Sequence, residues 1–229
     1  PEILVWGDSY AMQLVQGLLA SKPDVQLIQM TKTACGPMFD VAPVFTKEYN
    51  VKWAEGCLAF NSEVRRWLAA NKTVRFAVLS SPFWQYMEDG QLLIDGRLHD
   101  ASMDVAAEYM HRTLNELKGM GITPVVFSPT PQDGNNIGQC LVKAEFFEVD
   151  VTACDFSLEN VTERSKAVYA WLARIAETQD VVFLSDGMCP AGQCLASIDG
   201  TFIYRDKGHL SREGSAFLGQ RMGFYGLVA

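Results

Sequence analysis

The chain has 229 residues, 48% of them hydrophobic, and a formal net charge of −8. The apolar content suffices for the core of one large domain, and the acidic balance argues against nucleic-acid binding and against a polybasic membrane patch. No apolar run approaches the roughly 18 residues of a membrane span, and no linker, repeat or charge block divides residues 1–229, which read as a single domain.

Ile3, Leu4 and Val5 open the chain as a buried strand, and Gly7 permits a sharp turn at its end. Leu14, Val15, Leu18 and Leu19 then recur at helical spacing, which puts Ser9 where a strand ends and a helix begins. Residues 25–30 read as a second strand, followed by a loop carrying Cys35, Gly36 and Pro37. Residues 56–70 form an amphipathic helix with Leu58, Val64, Trp67 and Leu68 inward, Cys57 at its start and Asn61 one turn in. A third strand at 74–80 ends in Ser81-Pro82-Phe83-Trp84. Asp95-Gly96 between apolar residues predicts a hairpin over 92–98, an insertion beside the site. A helix at 103–118 and a fourth strand at 122–127 follow, then an irregular stretch from 128 to 160. A helix at 161–177, a fifth strand at 181–184 and a tight loop from Asp186 to Cys194 come next, and Ser211 caps a final helix. Five apolar strands alternating with helices predict an α/β fold: three layers, α/β/α, around a central five-stranded parallel sheet.

The six cysteines, Cys35, Cys57, Cys140, Cys154, Cys189 and Cys194, permit 15 complete pairings. Proximity favours 35–57, 140–154 and 189–194, and disulfides imply an oxidising compartment. No Cys-x-x-Cys knuckle exists and the histidines are scattered, so neither zinc nor another metal is expected.

Two motifs carry chemistry. Ser9 follows Gly7 and Asp8 at a strand–helix junction, where unpaired N–H groups can receive an oxyanion and a serine hydroxyl can attack a carbonyl. Asp206 precedes His209 by three residues, a spacing that lets the carboxylate orient the imidazole while its other nitrogen faces Ser9. Ser9, Asp206 and His209 are therefore the expected nucleophile, orienting acid and base. Every candidate follows a predicted strand, so all can meet beyond the carboxyl ends of the sheet. The pentapeptide from Gly7 to Ala11 lacks the closing Gly of Gly-x-Ser-x-Gly, which disfavours an α/β-hydrolase.

Gly7-Asp8-Ser9 near one end and Asp206-x-x-His209 near the other resemble the SGNH (GDSL-like) hydrolase superfamily. The resemblance implies a flavodoxin-like SGNH hydrolase fold. Residues 34–37, 56–61, 76–84, 189–194 and 204–214 narrow it to the extracytoplasmic SGNH domain fused to acyltransferase-3 membrane proteins, which O-acetylate bacterial surface polysaccharides. On this resemblance the N–H groups of Ser9 and Gly36 hold the oxyanion. The superfamily's Asn after the third strand is absent, so Asn61, Ser81 or the Trp84 indole is expected to replace it. Asp8, Tyr10, Ser81 and Trp84 are the candidate substrate-binding residues, with Tyr86 a further aromatic beside them. The resemblance implies no cofactor. It implies as partners a membrane-embedded acyltransferase-3 domain, an acetyl donor and a polysaccharide acceptor (an O-antigen, exopolysaccharide or peptidoglycan sugar). The chain, which opens on a strand without Met, reads as excised from a larger membrane protein and tethered at the periplasmic or extracellular face of the inner membrane. A serine-dependent O-acetyltransferase is the leading expectation, a carbohydrate esterase or deacetylase its alternative, and a non-catalytic carbohydrate-binding module the alternative of another class.

Overall fold

Strand β1 (Ile3–Gly7) is buried along its whole length because its side chains alternate between two apolar layers. Ile3 and Val5 join a cluster with Leu14, Leu18, Phe127 and Phe224, while Leu4 and Trp6 join another with Leu68, Leu79 and Val126. A strand covered on both faces needs apolar residues at every position, which is the continuous run seen in the sequence.

A computed structural model of the chain describes residues 1–88 and 90–229. After β1 come α1 (Ser9–Met12), α2 (Val15–Ser21), β2 (Leu27–Thr31), β3 (Ala42–Val44), α3 (Val51–Ala70) and β4 (Phe76–Ser80). The middle of the chain holds β5 (Gln91–Ile94), β6 (Arg97–Asp100), α4 (Met103–Gly119), β7 (Thr123–Phe127) and α5 (Ile137–Phe146). The last third holds β8 (Phe156–Ser157), α6 (Glu163–Ala176), β9 (Asp180–Val182), α7 (Ser185–Met188), β10 (Gln193–Cys194), α8 (Arg212–Met222) and α9 (Phe224–Val228). The central sheet is five-stranded and parallel in the order β2-β1-β4-β7-β9. Chain order reverses between β1 and β4, and ligands in such sheets bind in the crevice at that reversal, beyond the carboxyl ends of the strands.

Three expectations need correction. The helix expected over 56–70 starts at Val51, because Asn50 caps it by accepting from the Trp53 N–H at 3.2 Å; Cys57 therefore lies well inside the helix. The stretch 128–160 is not irregular throughout: α5 is capped by Asn136 and buries Ile137, Leu141 and Ala144. The hairpin β5–β6 is no free-standing insertion either. β3 adds a third strand to it, and Leu92, Leu93 and Ile94 are buried.

All six cysteines are paired, as Cys35–Cys57, Cys140–Cys154 and Cys189–Cys194. No helix among the described residues is long and apolar enough to cross a membrane.

The two ends of the chain meet where α8 crosses α2. A Cβ added to Gly219 would lie 2.2 Å from Gly17 backbone atoms, so the helices touch main chain to main chain. Ser215 reinforces the crossing by accepting from the Gly17 N–H at 3.0 Å and donating to the Gln13 carbonyl. Gly219→Ala should force the helices apart and cost about 3 kcal/mol, read as a lower urea midpoint. Gly56→Ala, whose Cβ would meet nothing within 4 Å, should stabilise α3 by roughly 0.5–1 kcal/mol. Equal midpoints for the two variants would contradict this reading of the crossing.

Candidate active site

The turn at Gly7 aims Ser9 out of the sheet. Gly7 has φ of +148°, and a Cβ there would lie 2.1 Å from the Ser80 carbonyl oxygen on the neighbouring strand, so no other residue fits. Asp8 then caps α1, accepting from the Tyr10 N–H at 2.9 Å. This leaves Ser9 half-buried at the first helical position, and its own N–H finds no acceptor among the described residues.

The segment before α8 brings His209 to meet it. Tyr204 and Leu210 pair as a bridge and the Arg205 N–H donates to the His209 carbonyl at 2.8 Å, closing a tight loop around residues 206–209. Ser9 Oγ lies 2.8 Å from His209 Nε2, and His209 Nδ1 lies 2.9 Å from Asp206 Oδ2. Asp206 Oδ1 also accepts from the N–H groups of Gly208 at 3.0 Å and His209 at 2.8 Å. Partial burial works against the Asp206 charge. The two N–H donors and the imidazole outweigh it and hold the carboxyl below its ordinary range. A carboxylate fixed in this way orients the ring with Nδ1–H toward itself and leaves the Nε2 lone pair facing Ser9. Tyr10 packs its ring 4.7 Å from the imidazole and accepts from Gln132 Nε2 at 2.9 Å. The structure thus joins Ser9, His209 and Asp206 in one hydrogen-bonded line.

The other expected site residues divide. Asp8 and Ser81 are fully buried and bonded to each other, Ser81 Oγ donating to Asp8 Oδ2 at 2.7 Å. They support the turn before Ser9 and do not face a substrate. Asn61 is not a free oxyanion donor: its amide donates to the carbonyls of Gly36 at 3.0 Å and Met38 at 2.8 Å, and accepts from the Trp6 indole at 2.9 Å. The Gly36 N–H is committed as well, donating to Tyr86 Oη at 2.9 Å. Both expectations fail for one reason. The loop around Gly36 is clamped in the interior by Asn61, Tyr86 and the Cys35–Cys57 bridge, and the donors are spent on the clamp. Neither the Ser9 N–H nor the Trp84 indole N–H finds an acceptor among the described residues.

Trp84 reaches the surface because Phe83 before it takes a left-handed φ of 60° while fully buried against Trp171. Such strain in a bulky residue tends to gather at functional sites; here it turns Trp84 outward and Gln85 and Tyr86 inward. Arg164 lies 4.0 Å over the Trp84 ring, so that face of the indole is already occupied. Sequence reasoning missed Gln132, which lies in a stretch with no periodicity to announce it, and the clamping role of Tyr86. Among the described residues no group of three or more His, Cys, Asp or Glu is placed to hold a metal ion.

Asp8 carries a testable electrostatic signature. Burial, opposed by its hydrogen bonds from Tyr10 and Ser81, raises its pKa from 3.8 to about 7. Between those values the folded protein holds a proton that the unfolded chain releases. Asp8 therefore stabilises the fold fully below about pH 4, and that contribution is lost as pH rises through 7. Asp8→Asn keeps an acceptor for the helix cap and cannot titrate. The wild-type melting temperature minus that of the variant should fall steadily from pH 4 to pH 8; a constant difference would contradict this burial.

The model of the SGNH domain fused to AT3 domains matches residues 1–223. No curated protein matches the chain significantly. Among solved structures, the periplasmic domain of a Salmonella ser. Paratyphi A lipopolysaccharide acetyltransferase is similar, with a TM-score of 0.71 at 16% identity, covering 97% of this chain and 82% of that one. A putative acylhydrolase from Bacteroides fragilis NCTC 9343 aligns over 98% of this chain and 87% of its own at a TM-score of 0.46 and 11% identity. The match over nearly the whole length, together with the five-stranded parallel sheet, means that this chain belongs to the family of SGNH domains fused to AT3 domains.

Proposed function

We propose that this domain is a serine-dependent O-acetyltransferase that moves an acetyl group through an acetyl-Ser9 intermediate to a sugar hydroxyl of a bacterial surface polysaccharide. The observation that carries the reading is the 2.8 Å contact between Ser9 Oγ and His209 Nε2, continued to Asp206. In the first half-reaction Ser9 Oγ bonds to the acetyl carbonyl carbon as His209 Nε2 takes its proton. The oxyanion of the tetrahedral intermediate faces the Ser9 N–H, with the Trp84 indole N–H as second donor. Collapse expels the donor's leaving group, which takes the proton from His209. In the second half-reaction an acceptor hydroxyl gives its proton to His209 and attacks the acetyl carbon. The bond between the acetyl carbon and Ser9 Oγ breaks, and Oγ regains the proton from His209. Asp206 stays ionised throughout and holds the imidazole in one orientation.

The family's fusion to AT3 domains supports a membrane-embedded acyltransferase-3 domain as the partner that delivers the acetyl group. The three disulfides support an oxidising, extracytoplasmic location. The Salmonella domain, named as part of a lipopolysaccharide acetyltransferase, supports a polysaccharide acceptor.

Ser9→Ala and His209→Ala should each lower turnover of a small acetyl ester by about 10³-fold or more, with melting temperatures close to wild type. Asp206→Asn should cost no more than either. Near wild-type turnover in Ser9→Ala would contradict the mechanism.

A further inference from the structure

The walls of a second cleft point to where the acceptor binds. A cleft of about 460 Å³, within the roughly 300–1,000 Å³ range of small-molecule sites, is lined by Gln132 and Lys207. Its link to the reacting groups is Gln132, which lines it and donates to Tyr10, whose ring packs on His209. Lys207 lines it from within the segment between Asp206 and His209. A larger cleft, about 700 Å³, runs along α5 past Cys140 and Phe147, and neither Gln132 nor Lys207 lines it.

The smaller cleft has an apolar floor from Pro82, Pro129 and Val168 and a polar rim of both signs. Glu88 lies 3.5 Å from the Arg164 guanidinium, which the Trp84 ring holds flat at 4.0 Å. Stacking on an aromatic face reduces the freedom that an arginine must lose on binding. Adjacent donors and acceptors of this kind match neighbouring hydroxyls, each of which both donates and accepts. The apolar floor matches the C–H face of a sugar ring.

We propose that this cleft is the acceptor subsite and that it takes a pyranose with neighbouring hydroxyls, held between Arg164, Glu88 and Lys207. One hydroxyl then reaches acetyl-Ser9 past Gln132. Trp84 acts here as the platform that sets Arg164, not as a stacking face for the sugar. The inference rests on the transferase reading above.

The test uses 4-nitrophenyl acetate as donor and methyl glycosides of glucose, galactose, mannose and glucuronic acid as acceptors. Released 4-nitrophenol reports acylation of Ser9, and acetylated glycoside, followed by mass spectrometry, reports transfer. At least one of these glycosides should accept. Arg164→Gln and Lys207→Gln should each raise the acceptor KM at least fivefold, and the double variant at least tenfold, lowering the ratio of transfer to hydrolysis. Both side chains are exposed, and thermal melts check that the variants fold. Acceptor KM values within twofold of wild type in the double variant, with transfer intact, would overturn the subsite while leaving the transferase reading standing. A wild-type domain that acylates and hydrolyses, but transfers to no glycoside and to no surface polysaccharide, would overturn the transferase reading and the inference with it.

Discussion

Ser9 and His209 are 200 residues apart in sequence and 2.8 Å apart in space. That contact depends on the crossing of α2 and α8, where the backbones at Gly17 and Gly219 touch. The helix that follows Ser9 and the helix that follows His209 are the two that pack together, so the crossing sets the distance between nucleophile and base. Gln13 extends the lock to the loop itself, accepting from the Leu210 N–H at 2.8 Å. Main-chain contact of this kind leaves little room for drift, because no flexible side chain lies between the helices.

Two carboxylates near Ser9 sit in opposite environments. Asp206 is partly exposed and receives two backbone N–H bonds and the imidazole, which keep it ionised. Asp8 is fully buried, and burial outweighs the hydrogen bonds that it accepts. The first suits an orienting anion for His209, while the second suits a structural cap that holds the turn at Gly7. The same residue type thus serves two ends, decided by exposure to solvent.

Much of this was legible in the sequence, for identifiable reasons. The strands of the sheet are apolar runs because both faces are covered, and a run needs no partner to be recognised. Ser9 and the Asp206–His209 pair are local motifs with fixed spacing, and the local cysteine pairs follow from short loops. What was not legible depends on contacts between distant segments. The Gly36 N–H reads as available until Tyr86, 50 residues on, is seen to accept from it. Asn61 reads as a helix-surface residue or a possible donor until three buried partners absorb its amide. α5 is a different case. Asn136 and the spacing of Ile137, Leu141 and Ala144 carry a cap and a helical stripe, a signal masked by the turn residues just before it.

The central claim is a covalent acetyl-Ser9 intermediate, and it is most directly tested by trapping. The domain would be mixed with an excess of 4-nitrophenyl acetate, quenched in acid during steady turnover and digested for mass spectrometry. The account predicts one acetyl group on the peptide that begins the chain, assigned by fragmentation to Ser9 and absent in Ser9→Ala. Steady turnover with no acetyl on Ser9, or with the label on another side chain, would contradict it.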